Sequence, residues 1–300
     1  MTARLPDFII IGAMKCATST LHDQLARQPG VFMSTPKEPC FFSDDEVYAR
    51  GMDWYTELFD DAPRGAVCGE SSTHYTKLPT HPHAVDRIAR HVPHARFIYV
   101  MRQPIDRLIS QYVHEWSMRN VSGSIDEAVE TFPPLVEYGR YAMQLAPYLE
   151  QFGADRVLPV FFERLTADPQ RELERVARFI GLQAVVTWDE NLGRRNAGSE
   201  RMRRSPLRDA ILDLPLLKQA RRALVPRSLR DRLKRRWMLR EKPVLSPTVH
   251  DQLLRAYDKE LRQLGHWLGR TLTCATWSDV VRGESPEWIR RDLVRERVTA

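Results

Sequence analysis

Cysteine is scarce in this 300-residue chain: Cys16, Cys40, Cys68 and Cys274 lie far apart, with no CxxC spacing. That scatter argues against a zinc cluster or a disulfide framework and fits reduced thiols. Long apolar runs are missing too. No stretch approaches the roughly 18 consecutive apolar residues that span a bilayer. The opening "MTARLPDFIII" lacks the basic region, long apolar core and cleavage site of a secretory signal, so a cytoplasmic location is expected. There is no internal repeat or low-complexity tract. The absence of a recognisable helix-turn-helix, zinc finger or aromatic-studded strand speaks against nucleic acid as a partner. A Walker A loop, G-x-x-x-x-G-K-[ST], is also absent.

What the chain does have are the makings of one large α/β domain. Four β-branched or aromatic runs, at 8–11, 66–68, 96–101 and 156–162, read as buried strands. Helical patterns separate them. Residues 106–118 place Leu108, Ile109, Tyr112, Val113 and Trp116 on one face. Asp168-Pro169 reads as an N-cap followed by proline at N1, and Gly181 as the stop after the stripe Leu173, Val176, Ala177 and Ile180. Strands alternating with helices predict a central parallel sheet flanked by helices, with ligands at the carboxyl ends of the strands. A last helix starts near Ser246-Pro247 and carries Leu253, Leu254, Tyr257, Leu261 and Leu264. Residues 277–300 read as an appended helix or tail. Most of the excess behind the net charge of +6 lies between positions 201 and 242, in "RMRR", "KQARR", "RSLRDRLKRR" and "LREK". That stretch is either a solvated helical face or a surface attracting an anionic nucleotide, acidic substrate or anionic membrane.

The densest signal is "FIIIGAMKCATST" at 8–20, followed by a helix with Leu21 and Leu25 one turn apart. A strand feeding a small-residue turn into a helix N-terminus gathers backbone N–H groups and the positive end of the helix dipole around one point. Lys15 and the hydroxyls of Thr18, Ser19 and Thr20 add to it, which suits a phosphate-like dianion. Counted from Gly12, Ala17 and Thr18 stand where a Walker A loop has its second glycine and its lysine. That departure argues against ATP or GTP hydrolysis but leaves the anion site intact. In "FIYVMRQPIDRLISQYVHEW", Arg102 closes a strand and Ser110 sits two turns into the next helix. Pro104 is expected to block an early helix start and force a turn between them. Arg102 offers a planar fork to a phosphate, and the Ser110 hydroxyl completes the contact.

Two such segments in this order resemble the sulfotransferases that use 3′-phosphoadenosine 5′-phosphosulfate (PAPS), above all the bacterial enzymes and the heparan-sulfate-type sulfotransferase domains. The likeness spans most of residues 7–276. It implies one sulfotransferase domain at 1–276 of P-loop-NTPase-like architecture, with a basic lid region at 194–242 and a C-terminal extension at 277–300. "GAMKCATSTL" resembles the family's 5′-phosphosulfate loop and "RQPIDRLISQY" its 3′-phosphate segment. "KEPCFF" resembles the acidic element after the first helix, and the stretch from "EYGRYAMQ" to "RFIGL" the region beyond the 3′-phosphate site. The resemblance implies that PAPS is the sulfonyl donor. Lys15 would contact the phosphosulfate and stabilise charge on the bridging oxygen as the sulfur–oxygen bond breaks. Cys16, Ala17, Thr18, Ser19 and Thr20 would wrap the 5′-phosphate, and Arg102 and Ser110 would hold the 3′-phosphate. Ala17 replaces the family's usual glycine. In "RRNAGSERMRRSP", Arg201 would reach the 3′-phosphate from a lid; the alternative is a surface loop.

Sulfonyl transfer needs an acceptor in line with the leaving nucleotide, a base for the acceptor's proton and preorganised positive charge. It requires no metal and no covalent intermediate. Glu38 in "TPKEPCFF" matches the family's glutamate before an aromatic pair and is the first candidate base, with Lys37 beside it and Pro36 and Pro39 stiffening the loop. His74 in "GESSTHYTKLP" is the rival, near the catalytic histidine of cytosolic family members. Ser71-Ser72-Thr73 stands where many heparan-sulfate-type enzymes have Lys-Thr-Pro, so a substrate-side lysine is missing there. Glu70 is a further acid or a group that orients the loop. Phe41, Phe42, Tyr75, Trp116 and Phe132 are apolar walls for a hydrophobic or mixed acceptor, unless they are core. The resulting expectation is transfer to a hydroxyl or amine of a small molecule, lipid or carbohydrate. Two other readings stand beside it: a P-loop kinase using ATP and magnesium, and a non-catalytic nucleotide-binding protein that docks to acidic membranes through 201–242.

Overall fold

The computed structural model describes residues 4–192 and 242–289. The basic stretch between them, with Arg201 and the expected lid, lies outside the described residues. Five parallel strands form one sheet in the order β2-β3-β1-β4-β5. They are β1 (Phe8–Gly12), β2 (Val31–Met33), β3 (Val67–Ser71), β4 (Arg96–Met101) and β5 (Val157–Phe161). Every residue of β1 and β5 is buried, as continuous apolar runs require when helices cover both faces of a parallel sheet. β2 has no counterpart among the expected strands. It is three residues long and two of them are only half-buried, too short for a period to register.

Twelve α-helical segments are described: α1 (Thr18–Ala26), α2 (Asp45–Tyr48), α3 (Gly51–Glu57), α4 (Ala84–His91), α5 (Pro104–Met118), α6 (Ile125–Thr131), α7 (Pro134–Glu137), α8 (Tyr141–Phe152), α9 (Phe162–Ala167), α10 (Pro169–Ile180), α11 (Pro247–Trp267) and α12 (Trp277–Arg282). None is long and apolar enough to cross a membrane. Pro104 does not delay α5, contrary to expectation. It is the first helical residue, where its missing N–H costs nothing, and the Gln103 side chain caps the helix by accepting from Asp106 N at 2.8 Å. α10 follows the expected bounds and ends at Gly181, whose φ of 82° is the left-handed conformation of a helix stop. Its N-cap Asp168 makes no side-chain cap bond and instead faces Arg164 at 3.9 Å. Ser246 caps α11 by accepting from Val249 N. α12 lies in the segment expected as an appended helix or tail, and Trp277 and Val281 are fully buried. The Trp277 ring is 5.6 Å from Phe161 and 5.9 Å from Tyr141, so the core runs on past 276 without a break.

The sheet order has one consequence for function. β1 is flanked by β3 and β4, with Ile10 level with Ser71 and Gly12 level with Tyr99. The chain leaving each of these three strands therefore emerges at one edge.

Candidate active site

The turn after β1 is tightly held. A Cβ on Gly12 would fall 2.1 Å from Thr76 Oγ1 and 2.9 Å from the Tyr99 ring, and the Thr76 hydroxyl donates to the Ile11 carbonyl at 2.6 Å. Only glycine fits. Ala13 N then donates to Val100 O at 2.7 Å, tying the turn to β4. Lys15 and Ala17 adopt left-handed conformations, with φ of 71° and 67°, and curl the chain into α1. Ala17 is the N-cap and offers no side-chain acceptor. The amides of Thr18, Ser19 and Thr20 thus begin a helix that its own N-cap leaves uncapped, which is the geometry that binds anions. Ser19 and Thr20 are half-buried at this end, whereas Thr18 is buried. Cys16 turns the other way. Its Sγ lies 3.7 Å from Met14 O and 3.9 Å from the Tyr141 hydroxyl, and burial pushes its thiol up to about 12. Its side chain belongs to the core, leaving only its backbone for a ligand.

Arg102 follows β4 directly, on the strand beside the turn. Tyr141 clamps its backbone, accepting from Arg102 N at 3.2 Å and donating to Arg102 O at 2.6 Å. The guanidinium lies over the Phe162 ring, 4.6 Å from its centre, a cation–π contact that fixes the fork. Ser110 is half-buried on α5, in the strand–helix unit that Arg102 opens.

The loop after β2 meets β3 from the other side. Glu38 N donates to Ser71 O at 2.9 Å, and Cys40 N to Ser72 Oγ at 3.1 Å. Ser72 in turn donates to Glu70 at 2.7 Å, whose second oxygen accepts from Tyr55. Glu70 is fully buried and its carboxyl is pushed up by that burial. It orients the loop. Glu38 also has a left-handed backbone, φ 59°, and its carboxylate is occupied on both oxygens. Lys37 Nζ is 2.5 Å from Oε1, and Thr73 N donates to Oε2 at 2.8 Å. Burial pushes this carboxyl up, but Lys37, the Thr73 N–H and Lys77 more than offset it, so Glu38 sits below the ordinary glutamate range.

His74 lies on the 3-10 turn Thr73–Thr76, stacked on His81 with ring centres 4.7 Å apart. Its Nδ1 is buried without a hydrogen-bond partner. Burial, helped by Lys77 and His81, pushes its pKa down to about 4, so the ring is neutral at physiological pH. The residue missed by sequence reasoning is Lys77. It is 8% exposed, with its ammonium 5.6 Å from the centre of the Tyr138 ring. Burial lowers its pKa while Glu38 raises it. Lys77 follows His74 by three residues, and its charge acts on the Glu38 carboxylate. Its signal lies in the run "THYTKLP", where nothing marks the lysine as turned inward.

The sulfotransferase domain family matches residues 5–265. The chain belongs to the sulfotransferase family. It is 31% identical over 193 residues to mouse heparan sulfate glucosamine 3-O-sulfotransferase 3B1, covering 61% of this chain and 48% of that protein. It is 27% identical over 210 residues to human bifunctional heparan sulfate N-deacetylase/N-sulfotransferase 3, covering 63% of this chain and 24% of that one. The chain thus spans half or less of the length of these relatives. A crystal structure of a sulfotransferase from Alicyclobacillus acidocaldarius superposes with a TM-score of 0.64 at 22% identity, over 91% of this chain and 99% of that one. It shows the same P-loop-NTPase-like fold.

The expected apolar walls are mostly core. Phe41 and Phe42 are 0% exposed and Tyr75 is 2%. Phe41 and Tyr55 stack at 4.7 Å, and Phe42 meets Tyr55 at 4.8 Å and Tyr75 at 5.7 Å. Only Trp116 and Phe132 are partly exposed. The groups that act on Glu38 are polar and charged instead: Lys37, Thr73 and Lys77, with His74 feeling its charge.

Proposed function

We propose that this chain moves a sulfonyl group from PAPS to a hydroxyl or amine of a carbohydrate or similarly polar small molecule. The observation that carries this reading is the meeting of two half-sites at one sheet edge. An uncapped helix N-terminus with Lys15 and the neighbouring Arg102 forms the anion side, and the strained loop bearing Glu38 forms the acceptor side. The residues fit the donor. The Thr18–Thr20 amides with the Ser19 and Thr20 hydroxyls suit the 5′-phosphate, and Arg102 with Ser110 suits the 3′-phosphate.

In the proposed step the acceptor oxygen or nitrogen bonds to sulfur while the bond from sulfur to the 5′-phosphate oxygen breaks. Glu38, ionised at physiological pH, takes the acceptor's proton. The Lys15 ammonium meets the charge that develops on the leaving phosphate oxygen. Lys37 and Lys77 hold Glu38 in its charged form. The buried state of Phe41, Phe42 and Tyr75 removes the support for a lipid-like acceptor, and the names of the curated relatives point to carbohydrate. A nucleotide kinase fits less well, because Thr18 stands where its lysine belongs.

Titration calorimetry with 3′-phosphoadenosine 5′-phosphate (PAP) and with ADP tests the donor half. Arg102 and Ser110 should make PAP bind about tenfold or more tighter, since a charge-assisted contact is worth about 1.5–3 kcal/mol. Equal affinity for the two nucleotides contradicts the assignment of the 3′-phosphate site.

A further inference from the structure

A basic cavity opens beyond the edge strand β5, and none of the residues at the ends of β3, β1 and β4 lines it. Its volume is about 510 Å³, and it lies between α9, α10, the end of α11 and the segment 283–289. Arg171, Arg175 and Arg178 line it from one face of α10, at the i, i+4, i+7 spacing of a helical stripe. Arg164 and Arg270 join them from α9 and from beyond α11.

Three carboxylates are present, and their partners matter. Glu172, 1% exposed, is shared between Arg164 Nε at 3.1 Å and Arg175 Nη1 at 3.2 Å. Glu287 approaches Arg175 Nε only to 3.8 Å, too far for a hydrogen bond. Glu284 lies on the exposed side. The Arg175 side chain is 10% exposed, and its Nε is left without a hydrogen-bond partner although Nη2 donates to Pro159 O at 2.8 Å. A buried guanidinium N–H without an acceptor is costly, so an oxyanion held beside Arg175 would be favourable there. Arg171, Arg178 and Arg270 are exposed and form no ion pair with a described residue. Opposite them, Trp288 is pinned by a bond from its indole N–H to Val157 O at 2.6 Å, which fixes the ring as a wall.

We propose that this cavity binds a phosphate or sulfate ester carried on a ring, with the anionic oxygens on the α10 arginines and the ring against Trp288. Nucleotides and sulfated sugars share that chemistry. The site is separate from the donor and acceptor half-sites and does not depend on the reading given to them.

The test uses the full chain with PAP in saturating amount, titrated with ADP in one arm and sucrose octasulfate in the other. At least one probe should bind saturably. Binding should weaken about tenfold or more in the combined variant Arg171→Glu, Arg178→Glu, Arg270→Glu, given the worth of charge-assisted contacts. A control variant, Arg64→Glu, Arg255→Glu, Arg262→Glu, reverses three other exposed arginines and should leave affinity unchanged. Binding of ADP alone supports a nucleotide source, and binding of sucrose octasulfate alone a sugar-sulfate source. Absence of saturable binding by either probe, or equal weakening in both variants, overturns the proposal. Trp288→Phe should abolish the change in indole emission on binding; a change that persists rules out the ring's placement. Failure of PAP to bind at all would instead count against the donor site, while the probe titrations still report on the cavity.

Discussion

Lys15 and Glu38 share a backbone state that side chains other than glycine rarely adopt, with φ of 71° and 59°. Holding a residue there costs on the order of 1–2 kcal/mol, and such strain persists where surrounding structure over-determines it. Around Glu38 the determinants are the Ser71 carbonyl, the Thr73 amide and the Lys37 ammonium. Lys77 acts on the same carboxylate through its charge. Because Glu38 must be ionised to accept a proton and its pKa lies below the ordinary value, the acid limb of kcat/KM should fall below pH 4.5. Replacing Lys77 removes one of the groups holding that pKa down. In Lys77→Met the limb should therefore move to higher pH, as read from a pH–rate profile; an unmoved limb would separate Lys77 from Glu38.

Legibility at this scale followed contiguity. Lys15, Ser19, Thr20, Arg102 and Glu38 stand in short motifs that the sequence singles out, and the structure brings the segments that carry them to one sheet edge. Tyr141 and Phe162 escape the sequence because they reach Arg102 from 39 and 60 positions away in the chain. Cys16 escapes for another reason. Whether a side chain in a tight turn points to ligand or to core depends on dihedral angles that no residue type dictates.

Among the elements, α1 is the one whose start matters most. The family's usual glycine at its N-cap is here Ala17, in the left-handed region at φ 67°. Ala17→Gly should stabilise the fold by about 0.5–1 kcal/mol, since relief of the left-handed strain outweighs the extra freedom of the unfolded chain. Urea unfolding of the variant checks this, and a lower midpoint would mean that the methyl packs to more effect than it strains. α5 teaches a related lesson. Proline before a helix reads from sequence as a barrier, yet at N1 it is pre-shaped for the first turn, and the Gln103 cap is visible only once the helix is known to begin there. β2 was illegible because three residues cannot display a period.

For the whole molecule, alternation of strands and helices makes the parallel sheet readable, but strand order is a long-range fact. Only the order β3-β1-β4 shows that the Glu38 loop and Arg102 flank the same turn from opposite sides. The extent of the core is equally non-local. Trp277 opens the stretch read from sequence as an appended helix or tail, and only the fold shows it fully buried against Phe161 and Tyr141. Trp277→Ala should cost about 3–5 kcal/mol, the usual range for emptying a buried aromatic site. It should also loosen the clamp of Tyr141 on Arg102. A cost under about 1 kcal/mol by urea unfolding would place Trp277 outside the cooperative core.

The central claim is that one sheet edge joins a donor site to a base. Its most direct test is transfer of radiolabelled sulfonate from PAPS to a panel of carbohydrate and small-molecule acceptors, run in parallel with wild type and Glu38→Gln. Wild type should yield labelled acceptor and stoichiometric PAP release. Turnover should fall about 100-fold or more in the variant, with PAP affinity unchanged. Near-normal transfer by Glu38→Gln would contradict it and move the base to His74, and turnover of ATP in place of PAPS would contradict the account as a whole.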